Sequence, residues 1–486
     1  MKQLTGLDAA FLYMETPTTF GHVSGLGIYD APANSDETPY ELYRNRLEER
    51  LAVLDPFRRR LVEVPFGLDH PWWIEDPDFD LDFHLRHIAV PPPGGARELS
   101  DLVARIIARP LDRSRPLWEV YVIEGLENGR WAALTKVHHA TIDGAAGAEM
   151  MMMLLDSEDA RTDLAMPPLP APERLPTPLE MMGRTAMSYA SRPRRFFAAQ
   201  SRMAADFFEI MSKNSGALAG AVTGMARNTL PGGNGETRDD GTGLLAPRTP
   251  FNRAITANRR FAYRTYSLDE VKEIKNHFGA TVNDVVMATT AGALRRYLER
   301  HQALPEKPLV AAVPVSIRTG QEEDMWTNRV SSIVARIPTH LTDPGERISF
   351  AAGAMNEAKG NFELVPAEAL VNLSEFSPPA LFTQAAGAMT RFRMGDHIAQ
   401  PSNLIVSNVP GPRKPMFLGS ARLVHYYPVS TIAEGQGLNV TVQSLENCLD
   451  LGLVACRELM PDLEDLADDF GAELGHLLEI ARQSAG

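Results

Sequence analysis

Two breaks in the chain constrain its fold more than any other feature. Six prolines fall within Pro167–Pro178. Each fixes φ and removes a backbone donor, so that stretch is neither helix interior nor central strand. Further on, PGGNGETRDDGTG (Pro231–Gly243) is a polar, glycine-rich run that reads as a flexible boundary. The chain has 486 residues, too many for one compact core. The breaks divide it into an α/β domain over residues 1–160, a proline-rich and helical connector over 161–249, and a second α/β domain over 250–486.

In the first region, FDLDFHLRHIAV (Phe79–Val90) mostly alternates apolar and polar residues, the period of a half-buried strand. Ser100–Ala108 predicts an amphipathic helix. Trp118–Ile123 and Trp131–Val137 read as strands separated by the turn formers Glu127, Asn128 and Gly129. Ala145–Leu155 predicts a helix. In the connector, Leu179–Arg227 is helical in pattern, with Phe196, Met203, Phe207 and Met211 on one face. Arg192, Arg194 and Arg195 lie just ahead of that face, and Gly216, Gly220 and Gly224 repeat every four residues.

In the last region, Phe261–Leu268 predicts a strand, Asp269–Asn276 and Asn283–Arg300 predict helices, and LVAAVPVSI (Leu309–Ile317) a buried strand. Leu404–Ser407 predicts another strand, and Leu438–Leu445 with Leu449–Val454 a hairpin. Leu463, Leu466, Phe470, Leu474 and Leu477 form one stripe of a final helix. Two mixed halves of similar size suggest a pseudo-duplicated architecture. The echo between TIDG (Thr141–Gly144) and TVND (Thr281–Asp284) is equally well explained by two helix caps.

Charge narrows the partners. A formal net charge of −14 opposes nucleic acid as the main ligand. It also repels anionic ligands unless cations cluster, as Arg58, Arg59 and Arg60 do in sequence; such a run reads equally as solvated surface. Two cysteines, Cys448 and Cys456, cannot form a disulfide framework and point to a reducing compartment. MKQLTGLDAAFLYMETP lacks an apolar signal core, and no uncharged apolar run is long enough to span a bilayer. A cytoplasmic location is expected.

The stretch TKVHHATIDGAAG (Thr135–Gly147) is the candidate for chemistry. A strand leads into it and a helix leaves it, so the histidines sit at a strand-to-helix turn beside a sheet edge. Adjacent strand residues face opposite ways, so one histidine faces any given cavity: His139, with His138 supporting it. A neutral imidazole accepts a proton near pH 7. Asp143 is placed to cap the next helix or to pair with an arginine. Gly144 lets the backbone pass close to a ligand or another strand. A plain structural turn explains the same spacing. No third metal ligand accompanies the His-x3-Asp pair, and no G-x-S-x-G nucleophile elbow is present.

HHATIDG matches the HHxxxDG signature shared by coenzyme A-dependent acyltransferases and peptide-forming condensation domains. Other blocks separate the two. PLDRSRPLWEVYVIEGL (Pro110–Leu126) resembles the PLW block of the wax ester synthase/diacylglycerol acyltransferase family, and TVNDVVMATTAGALRRYL (Thr281–Leu298) its ND block. VPVSIR (Val313–Arg318), NRVSS (Asn328–Ser332), SNVPGP (Ser407–Pro412), GLNVTVQSL (Gly437–Leu445) and the N-terminal LTGLDAAFLYMETPTTFGHVSGL resemble further blocks. The resemblance covers nearly the whole chain in the expected order, and it is closest to the triacylglycerol-synthase branch.

This resemblance implies two chloramphenicol-acetyltransferase-like domains around a central tunnel. It implies transfer from a long-chain acyl-CoA, a co-substrate rather than a bound cofactor, to diacylglycerol or a fatty alcohol. His139 would be the general base. Pro116, Leu117 and Trp118 are expected to wall the site, with core packing as the other reading. Asn283 and Asp284 are expected to border the tunnel or simply to cap a helix. Ser407 and Asn408 are expected at the domain interface. The expected setting is the inner face of the membrane or a lipid droplet, reached through the connector's Phe/Met face, with the chain a monomer or homodimer. Two other functions fit parts of the pattern: a condensation enzyme using carrier-bound donors, and a non-enzymatic lipid-surface protein.

Overall fold

A computed structural model describes residues 1–32, 36–157, 166–188, 245–318, 325–363, 379–398 and 400–483. Two six-stranded sheets form its framework. The first runs in the order Phe417–Leu418, Ala421–Val429, His22–Tyr29, Trp131–His138, Trp118–Glu124, Leu85–Ala89. The second runs Val330–Ile337, Leu309–Ser316, Leu404–Val409, Leu438–Leu445, Cys448–Cys456, Arg259–Ser267. Lys2–Gln3, Trp72–Glu75 and Arg59–Val62 make a small third sheet.

The division at residue 250 needs correction. Ala421–Val429 belongs to the last region by sequence, yet it pairs antiparallel with His22–Tyr29, Tyr427 opposite Leu26. The first sheet is therefore completed by the last region, while all strands of the second sheet lie within residues 259–456. At the junction, a Cβ on Gly452 would sit 1.8 Å from the carbonyl oxygen of Pro428, so only glycine allows this approach. The fully buried Asp450 accepts the Tyr426 N–H at 2.8 Å and the Thr265 hydroxyl at 2.6 Å.

Most expected elements are present within a few residues. The amphipathic helix spans Ala96–Ile107, and its Leu99, Val103, Ile106 and Ile107 enter the core. The hairpin Leu438–Leu445/Cys448–Cys456 pairs antiparallel throughout. In the final helix, Leu463–Gln483, all five residues of the predicted stripe are buried. Pro314 is tolerated inside Leu309–Ser316 because Leu404–Val409 pairs only as far as Ala312, leaving the next backbone groups on that side without a ladder partner.

Phe79–Val90 departs from its pattern. Asp80 caps a short helix, Leu81–His84, and only Leu85–Ala89 is strand. His84, which the alternation places outside, instead stacks on Trp118 at 4.4 Å and is fully buried. The two echoing tetrapeptides are both helix starts, but on different residues: Asp143 caps one helix, and Thr281, in a capping box with Asp284, the other. The proline stretch is irregular, and a helix begins at residue 178. Beyond 188, the connector's Phe/Met face (Phe196, Met203, Phe207, Met211), its arginines and its glycine repeat lie outside the described residues.

Candidate active site

The site is built where one strand stops. Trp131–His138 is held by His22–Tyr29 on one side and Trp118–Glu124 on the other. The His138 N–H donates to Leu117 O at 2.9 Å, which closes the ladder. The chain then turns sharply: the Thr141 N–H and hydroxyl both donate to the His138 carbonyl, at 3.0 and 2.7 Å. Asp143 follows as N-cap of the helix Gly144–Leu154, accepting the Ala146 N–H at 2.9 Å.

The two histidines separate as adjacent residues must. His138 is 1% exposed. Its Nδ1 accepts the Ala140 N–H at 3.0 Å, so its Nε2 carries the proton and lies 3.2 Å from Glu15 Oε1, off the line of an ideal hydrogen bond. Glu15 also receives Arg113 at 2.7 Å and the Gly21 N–H at 2.9 Å. Burial raises the Glu15 carboxyl pKa, but the His138 imidazole, the Gly21 N–H and Arg113 outweigh it and hold the group near 2. A Cβ on Gly21 would lie 2.5 Å from His138 Nε2, while the Gly21 carbonyl accepts the His139 N–H at 2.8 Å.

His139 is half-buried and stacks on Phe11, ring centroids 4.0 Å apart. Its Nδ1 is 3.0 Å from Asn328 Oδ1. Burial depresses its pKa below the ordinary 6.5. It is therefore neutral at pH 7, the form that accepts a proton.

Three residues from the second half complete the group. Arg318 Nη2 donates to both oxygens of Asp143 at 2.9 Å, and the Arg329 N–H donates to Oδ2 at 2.9 Å. The aspartate thus both caps its helix and finds an arginine partner. Asn328 donates from Nδ2 to the His139 carbonyl at 2.6 Å and to Asp8 Oδ1 at 2.7 Å; its backbone N–H reaches the same Asp8 oxygen at 2.9 Å. Burial raises the Asp8 pKa, against the pull of its donors Asn328 and Thr5.

Asp8, Phe11, Glu15, Arg318 and Asn328 were not singled out by sequence reasoning. Their signal was present: they lie in the N-terminal, VPVSIR and NRVSS blocks. Nothing local ties those blocks to His139, because the contacts join residues as far as 320 positions apart.

Other expected site residues fall unevenly. Gly144 is exposed, and a Cβ there would meet only Val409 Cγ2, at 4.0 Å. That contact brings the end of Leu404–Val409, which carries the half-buried Ser407 and Asn408, up to the motif helix. The expected wall is a correction. Leu117 and Trp118 are fully buried, Trp118 stacking on Phe57 at 4.1 Å and donating from Nε1 to Phe57 O, so they are core. Pro116 is also buried, in a bridge with Arg60. Asn283 and Asp284 open the helix Val282–Arg300, where Asp284 accepts the Thr281 N–H at 2.9 Å and its hydroxyl at 2.7 Å; no hydrogen bond links either to the His139 group among the described residues. The triple arginine is occupied: Arg58 by Asp55 and Glu75, Arg59 by Asp55, Arg60 by Asp76 and Asp78. A recess open to solvent lies beside the turn, lined by Lys2, Thr5, Asp8, Trp73, Thr141 and Trp326. Among the described residues, no three His, Cys, Asp or Glu side chains are grouped to hold a metal ion.

The arrangement of two six-stranded sheets, the first completed by a strand from the last region, is a fold shared with solved condensation domains. The first condensation domain of the calcium-dependent antibiotic synthetase shares it, with a TM-score of 0.55 at 16% identity over 99% of this chain and 96% of that one. Residues 4–286 match the wax ester synthase/diacylglycerol acyltransferase catalytic domain and residues 326–478 the WS/DGAT C-terminal domain, and the chain belongs to that family. It is an acyltransferase of that type.

Its relatives agree along the full length. The wax ester synthase/diacylglycerol acyltransferase of Marinobacter aquaeolei VT8 superposes with a TM-score of 0.68 at 30% identity, over 99% of this chain and 100% of that one. A Mycobacterium tuberculosis (strain CDC 1551 / Oshkosh) protein named as a diacylglycerol O-acyltransferase is 34% identical over 99% of this chain and 91% of its own length. The O-acyltransferase WSD of Acinetobacter baylyi is 33% identical over 98% of this chain and 96% of its own length.

Proposed function

We propose that this chain transfers a long-chain acyl group from acyl-CoA to the free hydroxyl of diacylglycerol, giving triacylglycerol, and that fatty alcohols also serve as acceptors, giving wax esters. His139 is the general base. The observation that carries this reading is a half-buried imidazole at the junction of the two halves, held by Asn328 from the second half and beside a histidine that is sealed. The names of the relatives support the choice of acceptor.

An alcohol holds its proton too tightly at neutral pH to attack a thioester unaided. His139 takes that proton as the oxygen bonds to the thioester carbon, and the carbonyl opens to a tetrahedral oxyanion. The carbonyl then re-forms, the C–S bond breaks, and the imidazolium returns the proton to the departing thiolate. The products are the ester and free CoA, and the imidazole is restored. General base catalysis of this kind contributes about 10²–10⁴-fold, and holding both reactants in position contributes separately. No covalent enzyme intermediate is required. Acceptors this insoluble are met at a membrane surface or lipid droplet. No helix among the described residues is long and apolar enough to cross a membrane, so association is peripheral in this reading.

The test supplies palmitoyl-CoA with diacylglycerol, hexadecanol or an amine. Ester formation that is lost in His139→Ala supports the proposal. Amide without ester, or no thiol release with any acceptor, overturns it.

A further inference from the structure

The orientation of the Asn328 amide is forced by its neighbours. Its Nδ2 end lies 2.6 Å from the His139 carbonyl oxygen and 2.7 Å from Asp8 Oδ1. A backbone carbonyl only accepts, and Asp8 Oδ1 already accepts the Asn328 backbone N–H at 2.9 Å. Flipping the amide would set its oxygen against two acceptors. The amide oxygen must therefore face His139 Nδ1, 3.0 Å away. An acceptor at that distance requires a proton on Nδ1. In a neutral imidazole the proton on one nitrogen leaves the other bare. The one hydrogen bond of the His139 ring among the described residues is that of Nδ1 to Asn328, which leaves Nε2 without one there.

We infer that Asn328, itself fixed by Asp8, is the positioning residue that holds His139 in its Nδ1-protonated tautomer and so leaves Nε2 free to take the acceptor's proton. The inference deepens the proposed function and rests on it for its catalytic consequence. Several features make the device rigid. Asn328 is 2% and Asp8 5% exposed. Asp8 is pinned on its second oxygen by the Thr5 hydroxyl at 2.7 Å. Phe11, one helical turn along from Asp8, stacks on the ring and blocks its rotation. Three remote segments thus converge on one nitrogen: Gly6–Tyr13, the approach to Val330–Ile337, and the motif turn. Asn328 also stabilises the imidazolium formed during reaction, because Nδ1–H still donates to it. It does so without the second negative charge that an aspartate would add beside Asp8.

Two readouts test this. The first does not depend on turnover. Protein labelled with ¹⁵N-histidine is examined by multiple-bond ¹H–¹⁵N correlation at pH 7.5, with the His139 signals assigned by their loss in His139→Gln. The expected spectrum has His139 Nδ1 protonated and Nε2 bare, and Asn328→Ala gives a mixture of tautomers. An Nε2-protonated ring in the parent, or an unchanged pattern in Asn328→Ala, overturns the inference. The second is kinetic. Asn328→Ala is expected to lower kcat about ten- to hundred-fold, as loss of an outer partner to a functional histidine typically does, with KM for acyl-CoA within about twofold. The acid limb of the kcat/KM profile moves to lower pH in Asn328→Ala and to higher pH in Asn328→Asp, because the first removes and the second strengthens the acceptor facing Nδ1. Both variants must keep the parent circular-dichroism spectrum. In the His139→Gln background, Asn328→Ala should cost little further activity. Limbs moving the same way, or an undiminished loss in that background, would mean that Asn328 acts through general structure. If the parent releases no thiol with any acceptor, the functional proposal fails while the nitrogen spectrum still decides the tautomer.

Discussion

Arg318→Ala should loosen the motif helix. Asp143 has a side chain only 3% exposed, and that of Arg318 is 15% exposed. One guanidinium nitrogen serves both carboxylate oxygens at 2.9 Å, and it also donates to Thr327 O at 3.1 Å. Removing one partner of a buried ion pair typically costs about 3–5 kcal/mol, because the remaining charge is left without compensation. Asp143 keeps two backbone donors, Ala146 and Arg329, at 2.9 Å each. That places the loss at the low end, about 3 kcal/mol. At about 1.4 kcal/mol per factor of ten, the helix Gly144–Leu154 should open roughly 10²-fold more often. Hydrogen exchange measured on a peptide covering that helix reads this directly. Asp143→Asn removes the carboxylate charge, so Arg318→Ala added to it should cost at least about 1.5 kcal/mol less than it does alone. Exchange within about twofold of the parent in Arg318→Ala, or simple additivity with Asp143→Asn, would refute the claim that this pair secures the turn.

Other consequences can be checked together. Gly21→Ala forces a methyl to within 2.5 Å of the sealed His138 ring, so melting should reveal a loss of about 1–3 kcal/mol, with activity falling as the ring is displaced. Gly144→Ala has the opposite signature: its methyl meets nothing nearer than Val409 Cγ2 at 4.0 Å, so melting should show stability kept. Burial holds His22, His84 and His139 below the ordinary 6.5. Since their folded pKa values are depressed, the stability they contribute is complete above about pH 6.5 and is lost as pH falls through the folded values. Urea unfolding should therefore be easier at pH 5.5 than at pH 7.5, and equal or greater resistance at pH 5.5 would contradict the burial argument.

Local pattern carried much of the fold. The hairpin 438–456, the helix Val282–Arg300 and the stripe from Leu463 to Leu477 are periodic enough to read directly. Pattern failed where packing overruled it. His84 is polar by type but is spent as an aromatic plate against Trp118. The strand Ala421–Val429 could not be assigned to the first sheet, because no local signal reports a partner some 400 residues away in sequence. The site divides along the same line. His139, Asp143 and Gly144 announce themselves by spacing within one turn. Arg318, Asn328 and Asp8 act only through contacts that folding creates. Leu117 and Trp118 illustrate the converse, since a motif at the core is easily taken for a motif at the surface of a site.

The central claim is that His139 Nε2 removes the acceptor's proton. The most direct measurement is chemical rescue of His139→Gly, with ester formation from palmitoyl-CoA and diacylglycerol followed as free imidazole is added. The account predicts a loss of about 10²–10⁴-fold that imidazole partly reverses, the rescue growing with the fraction of added imidazole in its neutral form. Activity in His139→Gly within a few-fold of the parent would contradict it.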